Sequence, residues 1–386
     1  MLSEDQNILE IVSRFCSTLR PLEDIFYLEH KYNDQLIPLA KEFNILGLPV
    51  KFKYGGLELS NVQYAQVIEK ISAEGSGIRT FFSGHSSLGQ KTIQRYGTEN
   101  QKKNYLIPST KGDVIFAFAL TEPEAGSEPL SMTTNYADKG DHYLLNGVKH
   151  LITNSGIADV IITFAKGPDN WVSAFLIDAH CEGIEREDLT AKMGMPTTNT
   201  GMFELSNYKV PKENLLGEKT QGWEIAKYSL LNGRLSVSAG CVGTIADCLN
   251  ESVGFAKGRF QHGKEIAKHQ LIQEHLSFMK INLESSRLMT LRAAELVDQF
   301  ELEGSEESFQ RADAAVSEAK FLASNLAWDA ADRSVQIFGG RGWSFLYRPG
   351  RHLVDARVCR IYEGTDEIMK LKIASSLLGR GFEAYS

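Results

Sequence analysis

The run Arg360-Ile361-Tyr362-Glu363-Gly364-Thr365-Asp366-Glu367-Ile368 sets a carboxylate between an aromatic ring and a glycine, just ahead of a helix-like stretch. A base on such a turn can approach a substrate closely, which is what removal of a proton beside a carbonyl requires. Most glutamates are simply solvated, so the neighbouring motifs must decide. Thr121-Glu122-Pro123-Glu124-Ala125-Gly126-Ser127 follows an apolar run and ends in the hydroxyls and backbone N–H groups that surround a ligand edge, or in an ordinary turn. Arg259-Phe260-Gln261-His262-Gly263-Lys264, with His269-Gln270 beyond it, puts cations beside a glycine at a helix break. That chemistry suits a pyrophosphate, and equally a solvated helix end.

Other chemistries find no support. Phe338-Gly339-Gly340-Arg341-Gly342-Trp343 follows a helix, not a strand, and its spacing does not match a dinucleotide fingerprint, although it can form a tight ligand-facing loop. The nine histidines show no metal spacing and no paired Cys motif exists, so no metal site is expected. A serine-hydrolase elbow is also missing.

Three stretches must position these motifs. Ile8, Val12, Phe15 and Leu19, then Leu36, Leu39, Phe43 and Leu46, then Tyr64, Val67, Ile68 and Ile71 keep helical spacing. From about residue 114 the period becomes two. Val114–Phe118, Val160–Phe164 and Val172–Ile177 read as strands, and Asn146-Gly147 as a hairpin turn between Tyr143–Leu145 and Val148–Ile152. Helices return at Gly222; Val316, Ala319, Ala323, Leu326, Ala330 and Ile337 form one alanine-rich stripe of a bundle helix. The expected organisation is an N-terminal helical domain (1–112), a middle β-barrel domain (113–220) and a C-terminal helical domain (221–386).

With 386 residues, 42% hydrophobic and 23% charged, the chain has the composition of a soluble globular protein. Its net charge of -8 argues against nucleic-acid binding as the main activity. No apolar run is long enough to span a bilayer, and Met1–Gln6 is too acidic for a secretory signal. The scattered cysteines Cys16, Cys181, Cys241, Cys248 and Cys359 read as buried free thiols, in keeping with a cytoplasmic location.

Taken in order, TEPEAGS, KHLITNSG, KVPKENLLGE, GRFQHGKEIAKHQ, QIFGGRGW and RIYEGTDEI resemble the acyl-CoA dehydrogenases, and Tyr54-Gly55-Gly56 and Tyr96–Gln101 extend the resemblance over nearly the whole chain. The resemblance implies a mainly α fold with an inserted β-barrel and a C-terminal four-helix bundle, noncovalent FAD, and a homodimer or homotetramer in which neighbours complete each flavin site. It implies that Glu363 is the base for the α-proton of an acyl thioester and that flavin accepts the β-hydride. Some members place the base on the helix holding Leu231–Arg234; here that position is Gly233. By matching position, Phe118, Leu120, Thr121, Ser127, Leu151 and Thr153 line the flavin. Arg259, His262, Gln270, Gln336 and Gly340 reach the cofactor of the adjacent protomer, and Thr365 and Glu367 add further contacts. Ser127, Arg234, Tyr362 and Gly364 match substrate-side positions.

The chain also departs from the pattern. Leu151 stands where the family usually has a flavin-covering tryptophan, Glu128 replaces an aspartate, and His262 replaces an aromatic ring. These features are similar to a branch acting on substrates tethered to an acyl carrier protein. Lys51, Lys53, Lys91, Arg95, Lys102 and Lys103 offer a docking patch for such an acidic partner, or equally a solvated helical surface of mixed charge. Coenzyme A or a carrier as the thioester bearer, and an electron-transfer flavoprotein or oxygen as acceptor, stay open. So do oxidation of a carrier-bound α-hydroxy- or α-aminoacyl group and a flavin-free structural relative.

Overall fold

The computed structural model describes residues 4–382, so that Met1–Ser3 of the acidic N-terminal run lie outside the described residues. The N-terminal helices are α1 (Glu4–Leu28), α2 (Leu36–Glu42), α3 (Asn61–Glu74), α4 (Ser76–Phe82), α5 (Lys91–Tyr96), α6 (Glu99–Gln101) and α7 (Ile107–Thr110). Ile8, Val12, Phe15 and Leu19 of α1 are buried against Tyr64, Val67, Ile68 and Ile71 of α3, as their spacing predicts. Ser60 and Gln63 close a capping box at the start of α3, satisfying two backbone N–H groups that the helix itself cannot. Between α4 and α5, Ser83–Gln90 coils with wider, i to i+5 turns and is buried throughout. Gly89 permits this approach to the sheet, since a Cβ there would meet Phe116 at 2.5 Å.

Eight strands follow: β1 (Phe116–Ala119), β2 (Asn135–Asp138), β3 (His142–Thr153), β4 (Val160–Lys166), β5 (Val172–Asp178), β6 (Ile184–Asp188), β7 (Thr200–Pro211) and β8 (Leu215–Leu216). Their order is β6-β7-β3-β2-β4-β5-β8, with β1 parallel to β4. The sheet wraps its own core, where Tyr136, Tyr143 and Phe175 meet edge-on with centroids 5.0–5.6 Å apart. Its other face buries Phe116, Ile162, Phe164 and Leu176 toward the helices.

Asn146-Gly147 is not a hairpin turn. β3 runs straight through it, paired with β2 on one side and β7 on the other, and the register with β7 slips there as a bulge. Gly147 has φ 147°, and a Cβ would meet Thr134 Oγ1 at 2.4 Å, so the glycine serves a close strand contact. Two-sided pairing overrides the local turn signal.

After the sheet come α8 (Gly222–Gly258), a small hairpin of β9 (Phe260–Gln261) and β10 (Lys264–Glu265), then α9 (Gln270–Glu303), α10 (Glu306–Phe338), α11 (Arg348–Ala356) and α12 (Asp366–Leu378). α8 is buried on nearly every face, because sheet, α3, α9 and α10 all pack on it. Ala319, Ala323, Ala327 and Ala330 let α10 lie close along it. Cys16, Cys241, Cys248 and Cys359 are buried free thiols, whereas Cys181 is exposed at the end of the β5 turn.

Candidate active site

The Glu363 turn is built between α11 and α12. A 3-10 turn (Arg357–Arg360) ends α11, and Thr365 caps α12 by accepting from Ile368 N–H at 3.3 Å. Between them Glu363 and Gly364 take φ 56° and 101° in succession. A left-handed glutamate is strained, and it persists only where the surroundings hold it. Arg234 Nε donates to the Glu363 carbonyl at 2.8 Å, and Lys320 Nζ donates to the Gly364 carbonyl at 2.6 Å. Arg234 also reaches Asp313 (3.1 Å), which pairs with Lys372 at 2.6 Å.

Glu363 points into a cavity of about 400 Å³. Its Oε2 is buried without a hydrogen-bond partner, and its own backbone N–H donates to nothing among the described residues. Gly233 on α8 makes the room: a Cβ there would sit 2.7 Å from the Glu363 carboxyl carbon. Burial pushes the Glu363 pKa up to about 7, against the pull of Arg234, Arg79 and Lys320. A carboxyl group so placed exchanges its proton near neutrality, as a general base must.

Phe118, Leu120, Thr121, Ser127, Leu151 and Thr153 line the opposite wall. The hydroxyls of Thr121, Ser127 and Thr153 make no hydrogen bond among the described residues, although they face the cavity. Apolar walls with three free hydroxyls fit a flat ring system edged by polar atoms, as an isoalloxazine is. The loop that carries Thr121 and Ser127 is anchored from below. Glu122, almost fully buried, accepts from Lys149 Nζ (2.8 Å) and from the N–H groups of Thr133 (2.6 Å) and Thr134 (3.1 Å).

Residues 3–113, 117–208 and 220–378 match the family models described as the N-terminal, middle and C-terminal domains of acyl-CoA dehydrogenase. This chain belongs to the acyl-CoA dehydrogenase family. An acyl-CoA dehydrogenase of Bacillus subtilis (strain 168) is 36% identical over 94% of either chain. Among solved structures, an acyl-CoA dehydrogenase complexed with FAD from Bacillus anthracis matches with TM-score 0.92 and 32% identity, over 100% of this chain and 70% of that one. The prolyl acyl carrier protein oxidase AnaB matches with TM-score 0.90 and 29% identity, over 98% and 99%.

Within the acyl-CoA dehydrogenase fold the proposed site residues divide into groups. Glu363, Tyr362, Gly364, Arg234 and Ser127 share the cavity with the wall residues above. Thr365 and Glu367 do not line it; Thr365 caps α12 and Glu367 is exposed. Arg259, His262, Gln270, Gln336 and Gly340 do not line it either, and all five are exposed around the β9–β10 hairpin and the end of α10. Leu151 is 53% exposed with φ 58°, thrown outward by a second register slip of β3 against β7.

The expected basic patch is exposed only in part. Lys91 is buried, paired with Glu301 at 2.6 Å and donating to Asn61; Arg95 lies over the rings of Tyr228 and Phe300; Lys102 pairs with Glu99. Lys51, Lys53, Arg95 and Lys103 of the six stand exposed without an ion pair among the described residues. Lys91 lies on the inward face of α5, and spacing alone does not show which face a helix turns inward.

Sequence reasoning missed Arg79, Lys320, Asp313 and Lys372. One signal was present: Lys320 lies on the apolar stripe between Ala319 and Ala323, and Arg79 between Ile78 and Phe81. A cation on a buried stripe needs a specific partner.

Proposed function

We propose that this protein oxidises an acyl thioester to its α,β-unsaturated form, with Glu363 as the base. The observation that carries the reading is the buried, unpartnered Glu363 Oε2 beside a free backbone N–H in one cavity. Glu363 takes the α-proton, and its own N–H donates to the thioester oxygen as negative charge gathers there. Arg234 and Lys320 keep the turn from swinging as that charge develops. Glu363 Oε2 is buried, so a substrate carbon brought to it meets the carboxylate without a full hydration shell. FAD bound against Thr121, Ser127 and Thr153 supplies the acceptor for the β-hydrogen and its electron pair.

The exposed set Arg259, His262, Gln270, Gln336 and Gly340 is read as serving the flavin of a second copy. Phe260, Leu271, Phe278, Ile281 and Leu288 lie exposed on the hairpin and α9 beside it, the kind of apolar surface that a protomer interface covers. Likeness to a prolyl acyl carrier protein oxidase and the missing indole at Leu151 favour a carrier-bound substrate with oxygen as the electron acceptor as a second reading.

Anaerobic flavin bleaching with matched acyl groups on coenzyme A and on holo-carrier protein tests the reaction and which thioester bearer it takes. Bleaching by either, rising with pH through about 7, is the expected result. Glu363→Gln retains FAD and loses bleaching by at least about a hundredfold, the scale of general-base catalysis. Unchanged bleaching in that variant removes Glu363 from the mechanism.

A further inference from the structure

Three successive residues of the catalytic turn are each held by a buried cation from a different helix. Arg234 of α8 holds Glu363 and Lys320 of α10 holds Gly364, both through carbonyl oxygens. Arg79 of α4 holds Tyr362: its guanidinium donates to the Tyr362 hydroxyl and lies 5.3 Å from the ring centroid. Arg79 is 2% exposed, and no carboxylate lies within ion-pair distance of it among the described residues. Space is reserved for it, since a Cβ at Gly240 of α8 would meet its Cδ at 2.9 Å.

A buried guanidinium without an anion is costly, and a fold keeps one where its field is used. Other cations around the base have carboxylate partners. Asp313 takes Arg234 and Lys372, and Asp366 takes Arg360 at 2.8 Å. Beside Arg79 lie Tyr362 and the thiols of Cys241 and Cys359; Cys359 Sγ is 3.2 Å from the Tyr362 hydroxyl, and the Cys241 hydrogen bond, Arg79 and Lys320 draw its thiol pKa down, as Arg79 and Lys320 also do for Glu363. Of these, only Glu363 is a carboxyl group.

We propose that Arg79 is a positioning residue for the base, fixing Tyr362 from behind the turn and favouring the carboxylate form of Glu363 through the buried field of its guanidinium. The proposal rests on Glu363 being the base. It assigns Arg79 no contact with the substrate, and Arg79 does not line the cavity. Burial raises the Glu363 pKa while Arg79 is one of three cations lowering it, the direction that the proposal requires.

The test compares Arg79→Gln and Arg79→Lys with the parent, all as FAD-loaded full chains. Infrared difference titration of the protonated carboxyl band, assigned by its loss in Glu363→Gln, reads the base without any substrate. The midpoint moves up by about one pH unit in Arg79→Gln and stays near the parent in Arg79→Lys, the lysine restoring the charge. The acidic limb of the bleaching rate shifts with it. An unmoved infrared midpoint in Arg79→Gln overturns the proposal, whether or not thermal stability falls. A defect confined to KM for acyl groups bearing a carboxylate, with both midpoints unmoved, overturns it in favour of direct substrate contact. If the midpoint shifts but no thioester bleaches the parent, the tuning stands and the assigned reaction falls.

Discussion

Glu363 carries two unfavourable conditions at once: a left-handed backbone and a desolvated carboxyl group. The backbone alone costs about 1–2 kcal/mol. The carboxyl cost depends on pH, and its sign follows from the raised pKa. Below the ordinary value of 4.5 the group is protonated both folded and unfolded. Between 4.5 and about 7 the unfolded chain releases the proton while the folded chain keeps it, so stability falls as pH rises through that window and then levels. Glu363→Gln removes this penalty. The variant is therefore expected to be more stable than the parent by up to about 3 kcal/mol at pH near 8, with the gap closing toward pH 5. Denaturant unfolding at the two pH values reads it directly. A gap of equal size at both would mean that the Glu363 carboxyl is not held neutral by the fold.

The loop from Thr121 to Ser127 shows how an element, not a residue, sets the cofactor wall. β1 delivers the loop and β3 crosses beneath it, so the Lys149–Glu122 pair ties strand to loop with side chains only 0% and 3% exposed. Burial works against the Glu122 charge, but Lys149 and the N–H and hydroxyl groups of Thr133 and Thr134 hold its pKa down to about 2. The stabilisation it gives is complete above 4.5 and is lost as pH falls through about 2. Lys149→Met strands the Glu122 carboxylate and is expected to cost about 3–5 kcal/mol, the range for removing one partner of a buried pair. Flavin retention should fall with it, since Thr121 and Ser127 share the loop; full retention with lowered stability would separate the loop from the cofactor. β3 alternates buried and half-buried residues while β1, β4 and β5 were legible as continuous apolar runs, and the motif was legible from its residue types. The lysine's destination was not, because it depends on which strand passes below. For the same reason Asn146-Gly147 reads locally as a turn and folds as a bulge: the sequence window contains neither Thr134 nor β7. The helical stripes of α1, α3 and α10 were readable because burial repeats along a single element.

At the scale of the whole molecule, the residues assigned to FAD fall on two separate surfaces of one chain. Thr121, Ser127, Thr153 and Glu363 share the cavity, whereas Arg259, Gln270 and Gln336 are exposed around a hairpin that does not border it. On the reading proposed above, a single protomer supplies one part of its own site and another part of a neighbour's, an arrangement that closed symmetry permits. Chains with complementary defects distinguish this from a self-contained site. Glu363→Gln lacks the base, and Arg259→Ala lacks a charge-assisted contact to the pyrophosphate and should release FAD when the cofactor is scarce. Coexpressed in equal amounts, the two chains form an intact site wherever an Arg259→Ala body meets a Glu363→Gln neighbour. Random pairing makes about one site in four intact. Bleaching at limiting FAD is therefore expected at about a quarter of the parent amplitude, from two preparations that each give almost none alone. With a self-contained site every chain in the mixture keeps its own defect, and the amplitude stays at the level of the separate variants. Only sharing between copies produces recovery, because neither substitution repairs the other within one chain.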